Sequence, residues 1–346
     1  MAELDQKSMS SGTDLVLANP KTSLSGRIAN GLTRLIVKGW ARGDPPAVVR
    51  RARRVFGLPN FAAGLYSHGV EIETIDTQAG GQRIKGEWIR SLGSTDSEHV
   101  VLFLHGGGYV SCTPQTHRPI TTALARLARC PAFSLDYRLA PEHPFPAAVD
   151  DATAAFCWLV SAGVPANKIA VAGDSAGGGL VLAMMLRLRS LAHKLPSCGV
   201  CLSPWVDLTG ADAYRNSGSC SMFQAANIAT FAGFYLNGAA AHTPEASPLF
   251  ADLTGLPPLL IQVSSTELLL DDAVRLHERA RERGVASTLR VYPGLPHVWQ
   301  ILTPLVPEGK LALEEIVGFI QKIWEKTGSA EQSSSINAPV TSWKRD

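Results

Sequence analysis

Two glycine-rich strings carry the residues of this chain best suited to chemistry: His105-Gly106-Gly107-Gly108 and Gly173-Asp174-Ser175-Ala176-Gly177. A serine hydroxyl is a poor nucleophile at neutral pH. It needs a hydrogen-bonded base, and the base needs an acid to orient it. Ser175 has the required backbone setting, since glycines at 173 and 177 permit a sharp turn from strand to helix that lifts the side chain into the open. The helix that follows aims its first N–H groups at developing negative charge, and Ala176 is the expected donor from that side. Gly106 and Gly107 are the expected donors from the first string, because glycine lets a backbone approach a tetrahedral intermediate closely. Each such donor stabilises the transition state by about 3–4 kcal/mol. The chemistry these residues suit is nucleophilic acyl transfer.

If nucleophile, acid and base follow one another in chain order, the base lies near the end of the chain. Of nine histidines, only His277 and His297 lie downstream of the irregular stretch that ends near 247. His277 sits among Arg275, Glu278, Arg279 and Arg281 in an amphipathic pattern and reads as a surface histidine. His297 follows Tyr292-Pro293-Gly294-Leu295-Pro296, a loop off the last expected strand, and is the expected base. Three carboxylates qualify as the acid. Glu267, just past the strand ending near Val263, is favoured, and Asp271 and Asp272 are the alternatives. The two aspartates also suit the cap and first turn of the next helix, which explains them without catalysis.

The elements that must position these groups are legible from hydrophobic spacing. Residues 70–75 alternate with period two and 84–89 are strand-like, a half-exposed antiparallel start to a sheet. Continuous apolar runs predict strands near 100–104, 131–135, 168–172, 197–202, 258–264 and 288–292. Helical spacing predicts helices near 116–129, 147–161, 177–192, 271–283 and 309–325. In the third of these, Leu180, Met184, Leu188 and Leu191 form one core-facing stripe. Alternating strand and helix means an α/β fold with a mostly parallel sheet covered on both faces. Helical spacing also runs from about Leu24 to Tyr66, interrupted at Asp44-Pro45-Pro46 and at Gly57-Leu58-Pro59. The chain thus divides into an N-terminal segment with helices (1–69), an α/β core (70–206), an insertion over the sheet's carboxyl edge (207–247), more core (248–327) and a disordered tail (328–346). Residues 1 to about 25 are expected to be loosely attached.

Bulk composition narrows the partners. The 346 residues are 45% hydrophobic and 18% charged, with a formal net charge of +2, which argues against a nucleic-acid partner. The most basic stretch, Arg50-Arg51-Ala52-Arg53-Arg54, lacks interleaved aromatics and reads as a solvated helix face rather than an anion-binding surface. No run approaches the roughly 20 apolar residues of a membrane span, so no membrane partner is expected. Met1-Ala2-Glu3-Leu4-Asp5 lacks the pattern of a secretory leader. Six scattered cysteines fit reduced thiols in a cytoplasmic protein. Cys198 and Cys201 lie three apart on an expected strand, so their side chains face opposite ways and no shared metal or local disulfide is expected.

These residues resemble the bacterial hormone-sensitive-lipase-like esterases of the α/β-hydrolase superfamily over roughly residues 70 to 325. The resemblance rests on His105-Gly106-Gly107-Gly108-Tyr109, Asp136-Tyr137-Arg138-Leu139-Ala140-Pro141-Glu142, Phe145-Pro146-Ala147-Ala148, Gly173-Asp174-Ser175-Ala176-Gly177-Gly178, Ser203-Pro204-Trp205 and His297. It implies an eight-stranded sheet, and a cap built from the N-terminal helices and the 207–247 insertion. It further implies a carboxylesterase for short- to medium-chain esters without metal or organic cofactor, acting on a small-molecule ester and leaving room for a homodimer. An amidase or deacetylase would use the same residues, and a small-molecule receptor on this scaffold would lack the histidine. The family's usual acid is aspartate, whereas Glu267 stands here. Matching the family also marks Tyr109, Trp205, Phe223 and Phe231 as candidates for lining the substrate pocket. Tyr137, Arg138, Glu142, Asp174 and His105 are expected to brace the oxyanion loop.

Overall fold

The sheet is built from short runs without a polar face. In the computed structural model, which describes residues 15–17, 21–36, 44–56, 68–93, 97–210 and 218–336, every residue of β4 (Val100–Leu104), β6 (Ile169–Asp174), β7 (Cys198–Leu202) and β8 (Leu259–Ser264) is buried. Such strands are stable only between two helical layers. With β2 (Val70–Ala79), β3 (Gln82–Ser91), β5 (Ala132–Leu135) and β9 (Ser287–Tyr292) they make the eight expected strands. A ninth, β1 (Leu15–Leu17), joins the edge beside β9, giving the order β1-β9-β8-β7-β6-β4-β5-β3-β2. Only the β2–β3 and β3–β5 pairs are antiparallel.

Alternate strand residues serve opposite faces. Leu102 and Leu104 join the core under α4 (Ala147–Ser161) and α5 (Ala176–Ser190), while Val101 and Phe103 pack on the side of α3 (Arg118–Ala128) and α8 (Pro307–Ile336). The cysteine pair obeys the same alternation. Cys201 lies in the first core and Cys198 in the second, and all six thiols are free. Burial pushes both thiols up to about 12, so neither is a nucleophile at neutral pH.

Three expectations change. Helix α5 is buried nearly all round rather than along one stripe, and Leu191, just past its end, is 54% exposed. The helix lies centrally, on the sheet and against α4. The short strand β1 attaches a segment expected to be loose, by parallel pairing of Val16 with Arg290. Helix α8 runs to Ile336, past the boundary expected at 327, while residues 337–346 and the helix stop expected at Gly57 lie outside the described residues. Helices α1 (Leu24–Ile36), α2 (Pro45–Phe56), α6 (Ala225–Leu236) and α7 (Leu270–Glu282) complete the chain, with α6 lying against α2.

Register decides what meets at the sheet's carboxyl edge. Leu104 stands opposite Gly173, and Asp174 opposite Leu202. The strings after β4, β6 and β7 therefore leave the sheet side by side. Ser264 opposite Tyr292 does the same for the loops after β8 and β9. This edge is where open α/β sheets present their chemistry.

Candidate active site

Ser175 occupies the turn between β6 and α5 at φ 53°, ψ −121°, a conformation a side-chain-bearing residue adopts at a cost of about 1–3 kcal/mol. The surroundings hold it there. Its N–H donates to Leu202 O at 2.8 Å, and its carbonyl accepts from Trp205 N at 2.9 Å. A Cβ on Gly177 would collide with the carbonyls of Leu104 and His105, and one on Gly173 with that of Gly177. Both glycines are required by close backbone approach as much as by the turn.

At the same carboxyl edge, Glu267 after β8 and His297 after β9 come together. Nδ1 of His297 lies 2.5 Å from Oε2 of Glu267, with 5% and 1% of the two residues exposed. This pairing keeps the proton on Nδ1 and leaves Nε2 as an acceptor. Nε2 is buried with no hydrogen-bond partner. The other oxygen of Glu267 accepts from Ser203 Oγ at 2.7 Å and from Ser264 N at 2.8 Å. Three donors thus compensate a carboxylate taken out of water. Ser203, two residues before the Trp205 amide that holds Ser175, ties Glu267 to the Ser175 turn. The Ser203-Pro204-Trp205 match marked this segment, but nothing in its spacing revealed the hydrogen bond to Glu267.

Asp272 does other work. Asp272, in the first turn of α7, accepts from the backbone N–H of Val206 and of Asp207, both at 3.0 Å, so it holds the chain leaving β7 rather than its own helix end. Burial pushes its carboxyl up to about 7, against the pull of those two amides. A carboxyl raised on folding stabilises the fold fully below its unfolded value and loses that contribution as pH rises through the folded one. Relative to Asp272→Asn, the wild-type urea midpoint is therefore expected to fall between about pH 4 and pH 7 and to run parallel above it. Equal pH profiles would refute this. His277 is not the surface residue its neighbours suggested. It is 1% exposed, with Nδ1 2.9 Å from Ser287 Oγ, and pins α7 to β9.

The first glycine string departs from expectation in one donor. Gly106 N–H donates to Asp174 Oδ1 at 2.9 Å, so it is already engaged and not free to receive an oxyanion as expected. The N–H groups of Gly107, Gly108 and Ala176 have no acceptor among the described residues. Gly107 and Gly108 lie at φ 112° and 63°, where side chains are strained. Gly108, not among the donors expected from the sequence, thus has a free N–H beside that of Gly107, and the third glycine of the string was its only sequence signal.

Buried polar groups hold this loop. Asp174 Oδ2 lies 3.2 Å from His117 Nε2, while Tyr137 donates to the carbonyl of His105 at 2.6 Å and stacks on its ring. Burial disfavours charge on both His117 and Asp174, but mutual attraction and the hydrogen bond outweigh it, raising His117 and lowering Asp174. His105, by contrast, is held down to about 4 by burial and by the nearby His117, and its Nδ1 donates to Gly106 O at 2.7 Å. It is a neutral strut. Glu142 acts through Arg53, which reaches Val110 O at 2.7 Å and Ala140 O at 2.9 Å, so one of the arginines expected in solvent is a clamp. Arg138 pairs with Asp151 of α4 and does not touch the loop.

The pocket candidates separate. Tyr109 and Trp205 are each 1% exposed and belong to the core, where Tyr109 stacks on Tyr235 and Trp205 Nε1 donates to Asp207 O. This corrects their expected substrate contact. Phe223 is half-buried with its ring 5.3 Å edge-on from His297, and Phe231 packs on Gly108. Rings from the 207–247 segment thus flank the site on two sides. Among the described residues no cluster of His, Cys, Asp or Glu could hold a metal ion, and no helix is long and apolar enough to cross a membrane.

Residues 101–301 match the sequence profile of an alpha/beta hydrolase fold family. The chain is similar to an acetyl-hydrolase of Streptomyces hygroscopicus, 41% identical over 68% of this chain and 79% of that one. It is also similar to the carboxylesterase/phospholipase LipF of Mycobacterium tuberculosis, 33% identical over 90% of this chain and 85% of that one. Among solved structures it resembles an esterase from the bacterial hormone-sensitive lipase family, with 39% identity, a TM-score of 0.78 and coverage of 88% and 99%.

Proposed function

This chain belongs to the alpha/beta hydrolase fold family, in its hormone-sensitive-lipase-like esterase group, and on that premise we propose that it is a serine carboxylesterase. The observation that carries the reading is the Glu267–His297 pair: of the two histidines downstream of Glu267, His297 has its Nδ1 on that carboxylate and its Nε2 unpartnered, whereas His277 lies against Ser287. Ser175 Oγ attacks the ester carbonyl while His297 Nε2 takes its proton. Glu267 holds the imidazole and stabilises its charged form. The amides of Gly107, Gly108 and Ala176 receive the oxyanion, in a buried setting where such donors act strongly. The same proton passes from His297 to the leaving alcohol. Water then attacks the acyl-enzyme with His297 again as base, releasing the acid and restoring Ser175. In a free enzyme the Ser–His hydrogen bond is commonly long and tightens when substrate binds.

The substrates are short- to medium-chain esters. Supporting this, Phe223 against His297 and Phe231 on Gly108 bring bulk from the 207–247 segment onto both halves of the site. That segment, with α1 and α2, forms the cap. No metal or organic cofactor enters these steps. A fluorophosphonate probe tests the nucleophile directly. One adduct per chain on the peptide containing Ser175, with activity on p-nitrophenyl acetate lost in proportion, is the expected result. Full ester turnover by fully labelled protein, or labelling elsewhere, would overturn it. Running p-nitrophenyl esters from acetate to palmitate beside the matching anilides reads chain length and ester preference in the same assay.

A further inference from the structure

Helix α1 is amphipathic the wrong way round. Its inner face is small and polar. Gly26 is buried, with no room for a Cβ against Leu295, Asn30 Nδ2 donates to Gly294 O at 3.0 Å, and Ala29 packs beside Tyr292 and Trp299. Just before the helix, Ser23 N and Oγ both donate to Glu308 of α8, at 2.6 and 2.9 Å. These contacts fasten α1 to α8 and to the turn that leads into His297. The outer face carries the large apolar side chains: Leu24, Ile28, Leu32 and Leu35 are 66, 52, 50 and 80% exposed. At 100° per residue the four fall within an arc of about 80°, and they extend over about 16 Å of helix. An ordinary surface helix turns such a stripe inward.

Charge beside the stripe identifies its occupant. Lys21, Arg27 and Arg34 are exposed, and the interval from Lys21 to Ile36 contains no Asp or Glu. Arg27 and Arg34 flank the apolar arc on one side at helical spacing. A single convex helix offers no groove for a shaped peptide, but an apolar stripe edged by cations matches a fluid layer of acyl chains beneath anionic headgroups. We propose that the outer face of α1 docks this protein on an anionic lipid surface, with Leu24, Ile28, Leu32 and Leu35 entering the acyl layer. The inner contacts of α1 with residues 293–295 then set the turn before His297 close to that surface. Among the described residues no helix is long and apolar enough to cross a bilayer, and docking on one requires none.

The test is sedimentation of the full chain with vesicles of phosphatidylglycerol and phosphatidylcholine in equal parts, compared with pure phosphatidylcholine. Wild type is expected to bind the anionic vesicles at least tenfold more tightly, and less as salt is raised. The triple variant Ile28→Gln/Leu32→Gln/Leu35→Gln should lose at least tenfold of that binding, and Arg27→Gln/Arg34→Gln about fivefold. Both should keep wild-type turnover of soluble p-nitrophenyl acetate, which reports that they fold. Sedimentation does not depend on hydrolysis, so this outcome stands apart from the esterase reading. Wild type left in the supernatant, equal binding to both vesicle types, or binding indifferent to both variants would overturn the proposal. So would a dimer in solution that the triple variant converts to monomer while wild type ignores vesicles, since a second copy would then cover the stripe.

Discussion

Ser175→Ala is expected to lower kcat on p-nitrophenyl acetate by about a millionfold, with the urea midpoint of the fold nearly unchanged. The size follows from the proposed division of labour. Without Oγ, His297 has no nucleophile to deprotonate, and the covalent route closes. What survives is attack by water within the oxyanion amides, about three orders of magnitude above the uncatalysed reaction. The stability expectation follows from the backbone. The strained turn is held by Ser175 N on Leu202 O and by Trp205 N on Ser175 O, neither of which involves the side chain. Assaying purified variant and wild type by steady-state kinetics and urea titration checks both halves. Activity within tenfold of wild type would remove Ser175 as nucleophile.

Glu267→Gln should cost about four orders of magnitude in kcat, while Asp271→Asn and Asp272→Asn should each cost less than tenfold. Substitution by the isosteric amide is severe because of the local hydrogen bonds. Ser203 Oγ and Ser264 N both donate to Oε1 of Glu267, so an amide here must turn its oxygen toward them. Its NH2 group then faces Nδ1 of His297. The imidazole is forced to carry its proton on Nε2, where it cannot act as base, and loses the anion that stabilises its charged form. Asp272 instead accepts from Val206 and Asp207 amides, a structural bond worth about 1–3 kcal/mol of stability. Measuring kcat for the three variants on one ester decides the matter. A loss of about four orders of magnitude in Asp272→Asn with Glu267→Gln active would exchange their roles.

How much could be read beforehand depended on how local the determining physics was. Residues 70–75 are legible as a strand by their period-two alternation, and Val100–Leu104 by its short, fully apolar, Val- and Phe-bearing run, both local signals. Strand β1 was hidden. Three residues carry no period, and only the open edge of β9 gives them a partner. His277 read as exposed because its sequence neighbours are charged, yet it faces Ser287 on the next strand. Arg53 failed likewise, since its partners Glu142, Val110 and Ala140 lie 57 to 89 residues away.

The two glycine-rich strings show where the division falls. By itself the sequence determined which groups the acyl-transfer reading rests on, because a serine between glycines at a strand end and a downstream histidine on a loop are set by short-range backbone sterics and chain order. It also narrowed the acid to three carboxylates within six residues. Only the tertiary structure shows which of them contacts His297: Glu267 does, reaching it from a neighbouring strand end. It likewise shows that the N–H of Gly106 is taken by Asp174 while that of Gly108 has no acceptor among the described residues. Hydrogen-bond direction in a glycine loop is fixed by partners such as Asp174, 68 residues away, and not by the loop itself.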